Sequence, residues 1–262
     1  MVLWDGETHY ILNMTNFCIL YWDMGCEVRR QNAIVSWKEL VKMTKYLRDK
    51  GLKFNAYMFE FGNNFIFNDS IKITDPLEFY EKAKKNNLAI NHHVNDNCDF
   101  IAIMDSDLFF SEEQYDMVYD HIVELENSQN KIFFTYNLMD IHEKERREIL
   151  ELDNIELNKE KLEELKPKYS WRHSWGAGVL GGIFIVPRKE IREMGGFNEN
   201  FLTWGAEDDE AHTRIKGYAE WRPKMNQGPY HLWHPKNEKD DKYFIPVYSD
   251  EYFRVNKVEK PR

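Results

Sequence analysis

One short apolar run constrains the fold of this chain more than any other feature. The residues from Asp99 to Met104 read DFIAIM and are followed at once by Asp105-Ser106-Asp107. An apolar run of that length without alternation is typical of a central parallel strand that is covered on both faces. In open α/β sheets, ligands bind beyond the carboxyl ends of such strands. The sequence therefore predicts an α/β fold with two aspartates at the ligand-binding edge of its sheet.

Further strands and helices alternate on both sides of this run. Strands are predicted at 17–22, 54–61 and 131–136, where apolar and aromatic residues cluster. Helices are predicted at 36–50, from Asp75-Pro76 onward, and at 111–127. The apolar face of the helix at 36–50 includes Leu40, Val41 and Leu47, which follow three- and four-residue steps. This alternation predicts a mixed, mostly parallel central sheet that is flanked by helices.

Composition limits the partners that this chain can have. Its 35 Lys and Arg residues against 45 Asp and Glu residues give a net charge of −10, which disfavours a nucleic-acid backbone or an anionic bilayer. Its three cysteines form no metal-binding pair, so a reducing compartment is the simpler assumption. No run reaches the roughly 18 apolar residues of a membrane span, and the amino terminus lacks the layout of a signal peptide. We expect a cytoplasmic protein with no nucleic-acid partner and no membrane span.

A charged insertion, residues 140–168, interrupts the pattern. It is dense in charge and nearly free of aromatic residues. Its apolar residues, Ile149, Leu152, Ile155, Leu162 and Leu165, stand at loosely helical spacing. This pattern predicts an inserted, mobile helical excursion whose solvated face is favoured over a binding element. No low-complexity linker splits the chain, so we expect a single domain over residues 1–262.

Two groups of side chains are candidates for a metal site. Asp105 and Asp107 offer two carboxylates at a strand end, and oxygen ligands of this kind suit Mg²⁺ or Mn²⁺. The alternative for this Asp-x-Asp pattern is a surface turn capped by aspartates. His231 and His234 are three residues apart, which lets both imidazoles face one ion. Two imidazoles and one carboxylate make a reasonable ligand set for Mn²⁺.

A run of four acidic residues is the candidate for chemistry. Trp204-Gly205-Ala206 precedes Glu207, Asp208, Asp209 and Glu210. The tryptophan offers a platform for a sugar ring, and one of the carboxylates can act as a general base toward a sugar hydroxyl. The alternative is a negatively charged helix start that favours the helix dipole. Both interpretations stay open, with Asp209 and Glu210 assigned to the helix start.

The stretch from Gly181 to Glu210, GGIFIVPRKEIREMGGFNENFLTWGAEDDE, resembles a known family without a gap. In β-1,4-galactosyltransferases and bacterial chondroitin-type polymerases, a Gly-Gly pair, a Gly-Phe with Asn nearby and Trp-Gly-Gly-Glu-Asp-Asp recur in that order. The resemblance extends more loosely to 61–68, to the Asp-x-Asp and to the histidine pair. Ala206 replaces the second glycine of the motif, and His231 stands where the vertebrate enzymes have a methionine.

The resemblance implies a GT-A fold, the Rossmann-like fold of nucleotide-diphospho-sugar transferases, with a UDP-sugar bound through Mn²⁺ or Mg²⁺. It also implies direct displacement with inversion, onto a glycan or glycoconjugate acceptor, as in polysaccharide biosynthesis. By position, Asp107, His231 and His234 would hold the metal, Asp208 would be the base and Glu207 would orient the acceptor. The remaining binding residues implied are Asp105, Arg29, Arg30, Gly181, Gly182, Trp204 and Gly205. Residues 1–139 would then be the nucleotide-binding part and 169–262 the acceptor and catalytic part.

Three other functions remain open from the sequence. The Gly-Gly and Glu-Asp layout also occurs in retaining GT-A transferases, and a nucleotidyltransferase can be built on a similar sheet. A non-catalytic carbohydrate-binding protein is the third alternative. The Asp-x-Asp and the histidine pair argue against the binding protein, because such a protein needs no ion to neutralise a diphosphate.

Overall fold

The computed structural model describes residues 13–22, 25–74, 81–168, 170–171, 182–201 and 207–235. The strands are β1 Met14–Trp22, β2 Lys53–Phe61, β3 Ile71–Ile73, β4 Phe100–Asp105, β5 Leu108–Phe109, β6 Ile132–Tyr136, β7 Met139–Ile141, β8 Leu150–Glu151, β9 Glu156–Leu157, β10 Ser170–Trp171, β11 Ile183–Pro187, β12 Glu220–Lys224 and β13 Tyr230–Leu232. The helices are α1 Glu27–Asp49, α2 Lys82–Asn91, α3 Tyr115–Asn127, α4 Glu143–Ile149, α5 Lys159–Leu165, α6 Arg188–Glu193 and α7 Glu207–Ile215. Within these ranges, no helix is long and apolar enough to cross a membrane.

Seven strands form the central sheet in the order β12-β6-β11-β4-β1-β2-β3. All neighbours are parallel except β11, which runs antiparallel to both β4 and β6. The apolar run DFIAIM falls in β4, which lies in the middle of this sheet. The prediction of an α/β fold with a mixed, mostly parallel sheet is confirmed.

The central strands of the sheet are covered on both faces, which explains why they are mostly apolar. Successive residues of a strand point to opposite faces, and those of β1 divide accordingly between two apolar clusters. Phe17 and Ile19 join a cluster with α1 and α3, whereas Cys18 and Leu20 join another with α2, α6 and α7. Ala102 and Ile103 of β4 divide in the same way.

A second, four-stranded sheet has the order β10-β7-β13-β5. In it, β13 pairs antiparallel with β5 and parallel with β7. Because β5 follows β4 after a turn of two residues, this pairing carries the carboxyl-terminal strand β13 to the edge where β4 ends. The small sheet therefore brings distant parts of the chain to one end of the central sheet.

Helix α1 differs from its prediction in two ways. It begins at Glu27, nine residues before the predicted start. Val41, expected on the apolar face, is 47% exposed, while Leu40, Met43 and Leu47 are buried against the sheet. Packing on the sheet selects one helical face. The apolar spacing alone could not show which of the adjacent residues Leu40 and Val41 faces the sheet. The helix predicted from Asp75-Pro76 falls largely on 75–80, outside the described residues, and α2 covers 82–91.

The charged insertion contains two short helices, as expected, but residues 150–157 form the β8–β9 hairpin and not a helix. Leu152 is exposed in the hairpin turn and Ile155 has a φ of 48°. In contrast, Ile149, Leu162 and Leu165 are buried in a third apolar cluster. The helical prediction was therefore wrong for Leu152 and Ile155, because loose apolar spacing does not distinguish two packed helices from one continuous helix.

Candidate active site and metal centre

The predicted metal ligands come together at the carboxyl end of β4. Asp107 lies in the turn between β4 and β5, His231 lies on β13, and His234 follows that strand. One ligand atom from each residue lies within 4.8 Å of the others. The backbone creates this arrangement, since His231 pairs with Leu108 in the β13–β5 ladder and the Leu232 amide donates to the Asp107 carbonyl at 2.9 Å.

The orientation of both imidazoles suits a metal ion. His231 Nδ1 lies 2.8 Å from Asp140 Oδ1, and His234 Nδ1 lies 3.1 Å from the Pro235 carbonyl. The Nε2 atoms therefore face Asp107 Oδ2, at 3.8 Å from His231 and 3.1 Å from His234. The other carboxylate oxygen, Asp107 Oδ1, is buried and has no hydrogen-bond partner among the described residues. Two imidazole nitrogens and a carboxylate with a free buried oxygen fit a divalent ion such as Mn²⁺.

Charge around Asp107 keeps it ionised. Burial alone would raise the pKa of Asp107, but the two imidazoles and the Arg29 guanidinium outweigh burial and hold it well below its usual range. Burial would lower the pKa of His234, yet its hydrogen bond and attraction to Asp107 raise it instead. The ligand set thus holds an anionic oxygen at its centre.

A lysine that the sequence did not indicate forms ion pairs with residues of both acidic motifs. Lys82, the first residue of α2, places Nζ 3.2 Å from Asp105 Oδ2, 3.1 Å from Asp208 Oδ2 and 3.4 Å from Glu207 Oε1. Lys82 and Glu207 are buried, and the Asp208 side chain is 19% exposed. One ammonium among three carboxylates leaves excess negative charge beside the metal ligands. The sequence gives no signal for Lys82; the structure places it with Lys85 on the buried side of α2.

Burial tunes the carboxylates around Lys82. It raises the pKa of Asp208 to about 7, with Lys82 opposing the shift and Glu207 adding to it. The pKa of Asp105 is also raised, chiefly by burial, with Lys82 opposing and the two neighbouring aspartates adding. A carboxyl group with a pKa near neutrality can take up a proton during a reaction and return it to water afterwards. The pKa of Asp208 therefore lies in the range that suits a general base.

The four acidic residues of the run have different surroundings in the first turn of α7. Asp209 is exposed, as expected of a helix-start charge. Glu210 is buried, and its Oε2 accepts from Arg214 Nη2 at 2.8 Å. Arg214 also donates to the carbonyls of Met194 and Gly196, both at 2.7 Å. Arg214 therefore ties α7 to the turn after α6, and Glu210 holds the Arg214 guanidinium in place in addition to charging the helix start.

The other predicted binding residues have the following positions. Arg29, in the first turn of α1, donates from Nη2 to the Pro235 carbonyl at 3.4 Å, beside His234. Arg30 pairs with Glu27 at 3.4 Å. Gly182 has a φ of 96°, and its carbonyl accepts from the Asp105 amide at 2.7 Å. A Cβ on Gly182 would lie 3.0 Å from a leucine side chain, so its smallness serves packing at this strand end. Gly181, Trp204 and Gly205 lie outside the described residues.

The Asp-x-Asp does not form one extended segment. β4 ends at Asp105, and Ser106 and Asp107 form the turn that follows. Asp105 contacts Lys82 while Asp107 faces the two histidines, so the two carboxylates serve different neighbours. The alternative interpretation as a capped surface turn is wrong for Asp107, which is buried.

Comparison with known proteins finds similarity over part of the chain. Residues 161–235 match a family model described as the N-terminal domain of galactosyltransferase. This range contains Glu207, Asp208, His231 and His234. Beta-1,4-galactosyltransferase 7 of Homo sapiens is 32% identical over 100 residues, and that of Mus musculus is 31% identical over the same length. Each match covers 36% of this chain and 29% of the relative, so the chain matches under a third of the relatives' length.

Solved structures show the same fold over most of the chain. The catalytic domain of Drosophila beta1,4galactosyltransferase 7, in complex with xylobiose, has a TM-score of 0.51 at 15% identity, covering 96% of this chain and 82% of that one. GalNAc-T7 with UDP, GalNAc and Mn²⁺ has a TM-score of 0.57 at 10% identity, covering 94% and 49%. The resemblance that the sequence indicated is confirmed. The chain has the GT-A glycosyltransferase fold, and its residues 161–235 are similar to the galactosyltransferases.

Proposed function

We propose that this protein is a metal-dependent glycosyltransferase that moves a hexose or N-acetylhexosamine from a UDP-sugar to a hydroxyl of a glycan acceptor. One observation carries the proposal: the Asp107, His231 and His234 ligand set lies at the same sheet edge as Asp208, and Lys82 links the two through Asp105. Glycosyl transfer needs a site for an ion that neutralises the diphosphate and, near it, a carboxylate that can take up a proton; the partly buried Asp208 is such a carboxylate.

A divalent ion held by Asp107, His231 and His234 would neutralise the diphosphate and make UDP a better leaving group. This matters in a chain of net charge −10, which by itself repels a nucleotide diphosphate. Arg29, beside His234, adds a positive charge on the same side. We assign Mn²⁺ as the preferred ion because two of the three ligands are imidazoles. A point mutant of the Drosophila beta1,4galactosyltransferase 7 was crystallised with manganese, UDP-Gal and xylobiose, which supports this choice of ion and substrate classes.

We assign Asp208 as the general base and inversion as the stereochemical outcome. The acceptor hydroxyl oxygen forms a bond to the anomeric carbon while the bond from that carbon to the UDP oxygen breaks. The hydroxyl proton passes to the Asp208 carboxylate, and the bonding electron pair leaves with UDP. Lys82 holds Asp208 at 3.1 Å, which fixes the carboxylate in the pocket. Glu207, buried beside it, orients the acceptor sugar through its hydroxyl groups.

A donor panel tests the activity. Purified protein is incubated with UDP-galactose, UDP-glucose and their N-acetylated forms, with xylobiose among the acceptors, and UDP release is measured with Mn²⁺ or with EDTA. Metal-dependent release from one donor supports the proposal. Absence of release from every donor, combined with glycan binding, would favour the non-catalytic binding protein.

The stereochemistry has a separate test, because the Gly-Gly and Glu-Asp layout of the sequence leaves the retaining GT-A alternative open. Proton NMR of the product made from an α-linked donor reports the anomer directly. A β-linked product agrees with Asp208 as base, whereas an α-linked product removes that role.

A further inference from the structure

We propose that Asp140 and Arg146, both in the charged insertion, are positioning residues for the metal-ligand histidines His231 and His234. The inference rests on metal binding in the proposed function. From the sequence, the charged insertion was expected to be a solvated helical segment. The inference assigns it a role in supporting the metal site. Three independent contacts lead from the insertion to the strand that carries the histidines.

The first contact is made by the side chain of Asp140. Asp140 lies on β7 directly beside His231 of β13 in the parallel ladder, and its Oδ1 is 2.8 Å from His231 Nδ1. An ionised carboxylate has no proton to give, so Nδ1 is the donor. The lone pair of the imidazole is then on Nε2, the atom that faces Asp107. Asp140 thus selects the tautomer that can bind a metal and fixes the orientation of the ring.

The second contact runs from Arg146 through α1. Arg146 is 4% exposed and donates from Nε to Asn32 Oδ1 at 2.7 Å. This bond fixes which end of the Asn32 amide is the oxygen. Asn32 Nδ2 then donates to the carbonyls of Leu232 at 3.2 Å and Trp233 at 3.1 Å. Those two carbonyls belong to the residues between the two histidines, so Arg146 sets the backbone that spaces them.

The third contact is backbone and apolar packing. The Trp233 amide donates to the Ile141 carbonyl at 3.0 Å, which extends the β7–β13 pairing past His231. Ile149, Leu162 and Leu165 of the insertion pack in one cluster with Tyr230 and Leu232 of β13. The insertion therefore supports β13 in three ways: by side-chain hydrogen bonds, by backbone pairing and by apolar packing.

The contrast with the next residue shows that the Arg146 contact is specific. The Arg147 side chain is 68% exposed and its paired atom, Glu143 Oε1, is on the same helix. Arg146, in contrast, is buried, and a buried guanidinium is costly unless its donors are bonded. It meets that requirement with Asn32 and with two further acceptors on α1, the Val28 carbonyl at 3.2 Å and Gln31 Oε1 at 3.0 Å.

The experiment measures Mn²⁺ affinity of the full chain without any sugar nucleotide, by isothermal titration and by electron paramagnetic resonance of free Mn²⁺. Asp140→Ala should weaken Mn²⁺ binding by about 10- to 100-fold, the usual effect of removing the partner of a ligating histidine. Asp140→Asn should lose less, because its amide oxygen accepts the same N–H bond without the charge. Arg146→Met should weaken binding as well. The matched controls, Asp153→Asn and Arg147→Met, change exposed residues of the same insertion and should bind Mn²⁺ like the parent chain.

Thermal unfolding without metal separates positioning from folding. If Arg146→Met does not fold, Asn32→Asp replaces it, because it keeps an oxygen for Arg146 and removes the two donors to the histidine strand. Weakened Mn²⁺ binding with an unchanged apo melting temperature supports the inference. Parent-like affinity in Asp140→Ala and in the arginine or asparagine variant overturns it while the metal site stands. A parent chain that binds no Mn²⁺ overturns the metal site and this inference together.

Discussion

Replacing Asp208 by Asn tests the assignment of the general base. The amide keeps the size of the side chain and an oxygen that can accept from Lys82, which lies 3.1 Å away. It removes the ability to take up a proton. A positioned general base contributes roughly 10²- to 10⁴-fold to a rate, so kcat should fall by about 10² or more. The KM for the UDP-sugar should change little, since Asp208 is assigned to the acceptor side of the site.

The pH profile gives the same prediction an independent readout. Burial raises the pKa of Asp208 to about 7, so the group is mainly protonated and inactive below that pH and ionised above it. For one group with this pKa, the ionised fraction is about 90% near pH 8 and about 10% near pH 6. Activity of the parent chain should therefore fall about tenfold over this interval. The residual activity of Asp208→Asn should not follow that profile.

The assay is initial-rate UDP release at saturating donor and Mn²⁺, with Asp153→Asn as a control for an exposed carboxylate. Direct UDP binding by titration shows whether the donor site is intact. Wild-type turnover in Asp208→Asn, with unchanged UDP binding and an unchanged pH profile, would refute Asp208 as the base.

Three further substitutions probe the site and its support. Lys82→Met removes the ammonium among three carboxylates and should raise the pKa of Asp208, which shifts the acidic limb of the pH profile upward; an unshifted limb would contradict the role of Lys82. Gly182→Ala places a Cβ 3.0 Å from a leucine side chain at a φ of 96°, so the free energy of unfolding should fall by about 1–3 kcal/mol in urea denaturation. Arg214→Met leaves buried Glu210 and two carbonyls without their donor and should cost about 1–3 kcal/mol in the same assay, with no effect if the ion pair is only a surface contact.

The sequence could predict the centre of the fold because β4 is apolar along its whole length. Burial on both faces of a sheet favours an uninterrupted apolar run, and the strand ends at the first of the two aspartates as expected. The start of α1 at Glu27 could not be predicted, since residues 27–35 carry no clear apolar period and fold as helix by packing on the sheet. The place of Leu152 in a hairpin turn could not be predicted for the same reason. The surrounding chain, and not the local spacing of apolar residues, selects a hairpin turn.

For the site, the residue types predicted two imidazoles and one carboxylate as ligands, and the family resemblance implied that the carboxylate is Asp107. The β5–β13 pairing brings Asp107, His231 and His234 together. Lys82 escaped prediction because its significance lies in contacts with residues 23 and 126 positions away in the chain. Arg29 and Arg30 were not separable from the sequence. The orientation of α1 decides which of the two arginines lies beside His234, and in the structure it is Arg29. The division of the chain into nucleotide and acceptor parts, and a cytoplasmic location, stay predictions.

The metal dependence and the stereochemistry of sugar transfer can be measured in one sample. Time-resolved proton NMR follows a mixture of protein, α-linked UDP-sugar and acceptor, first with EDTA and then after addition of excess Mn²⁺. We expect no reaction with EDTA and, after Mn²⁺, release of UDP together with a β-linked product. An α-linked product, or a rate that is the same with EDTA and with Mn²⁺, would contradict the account.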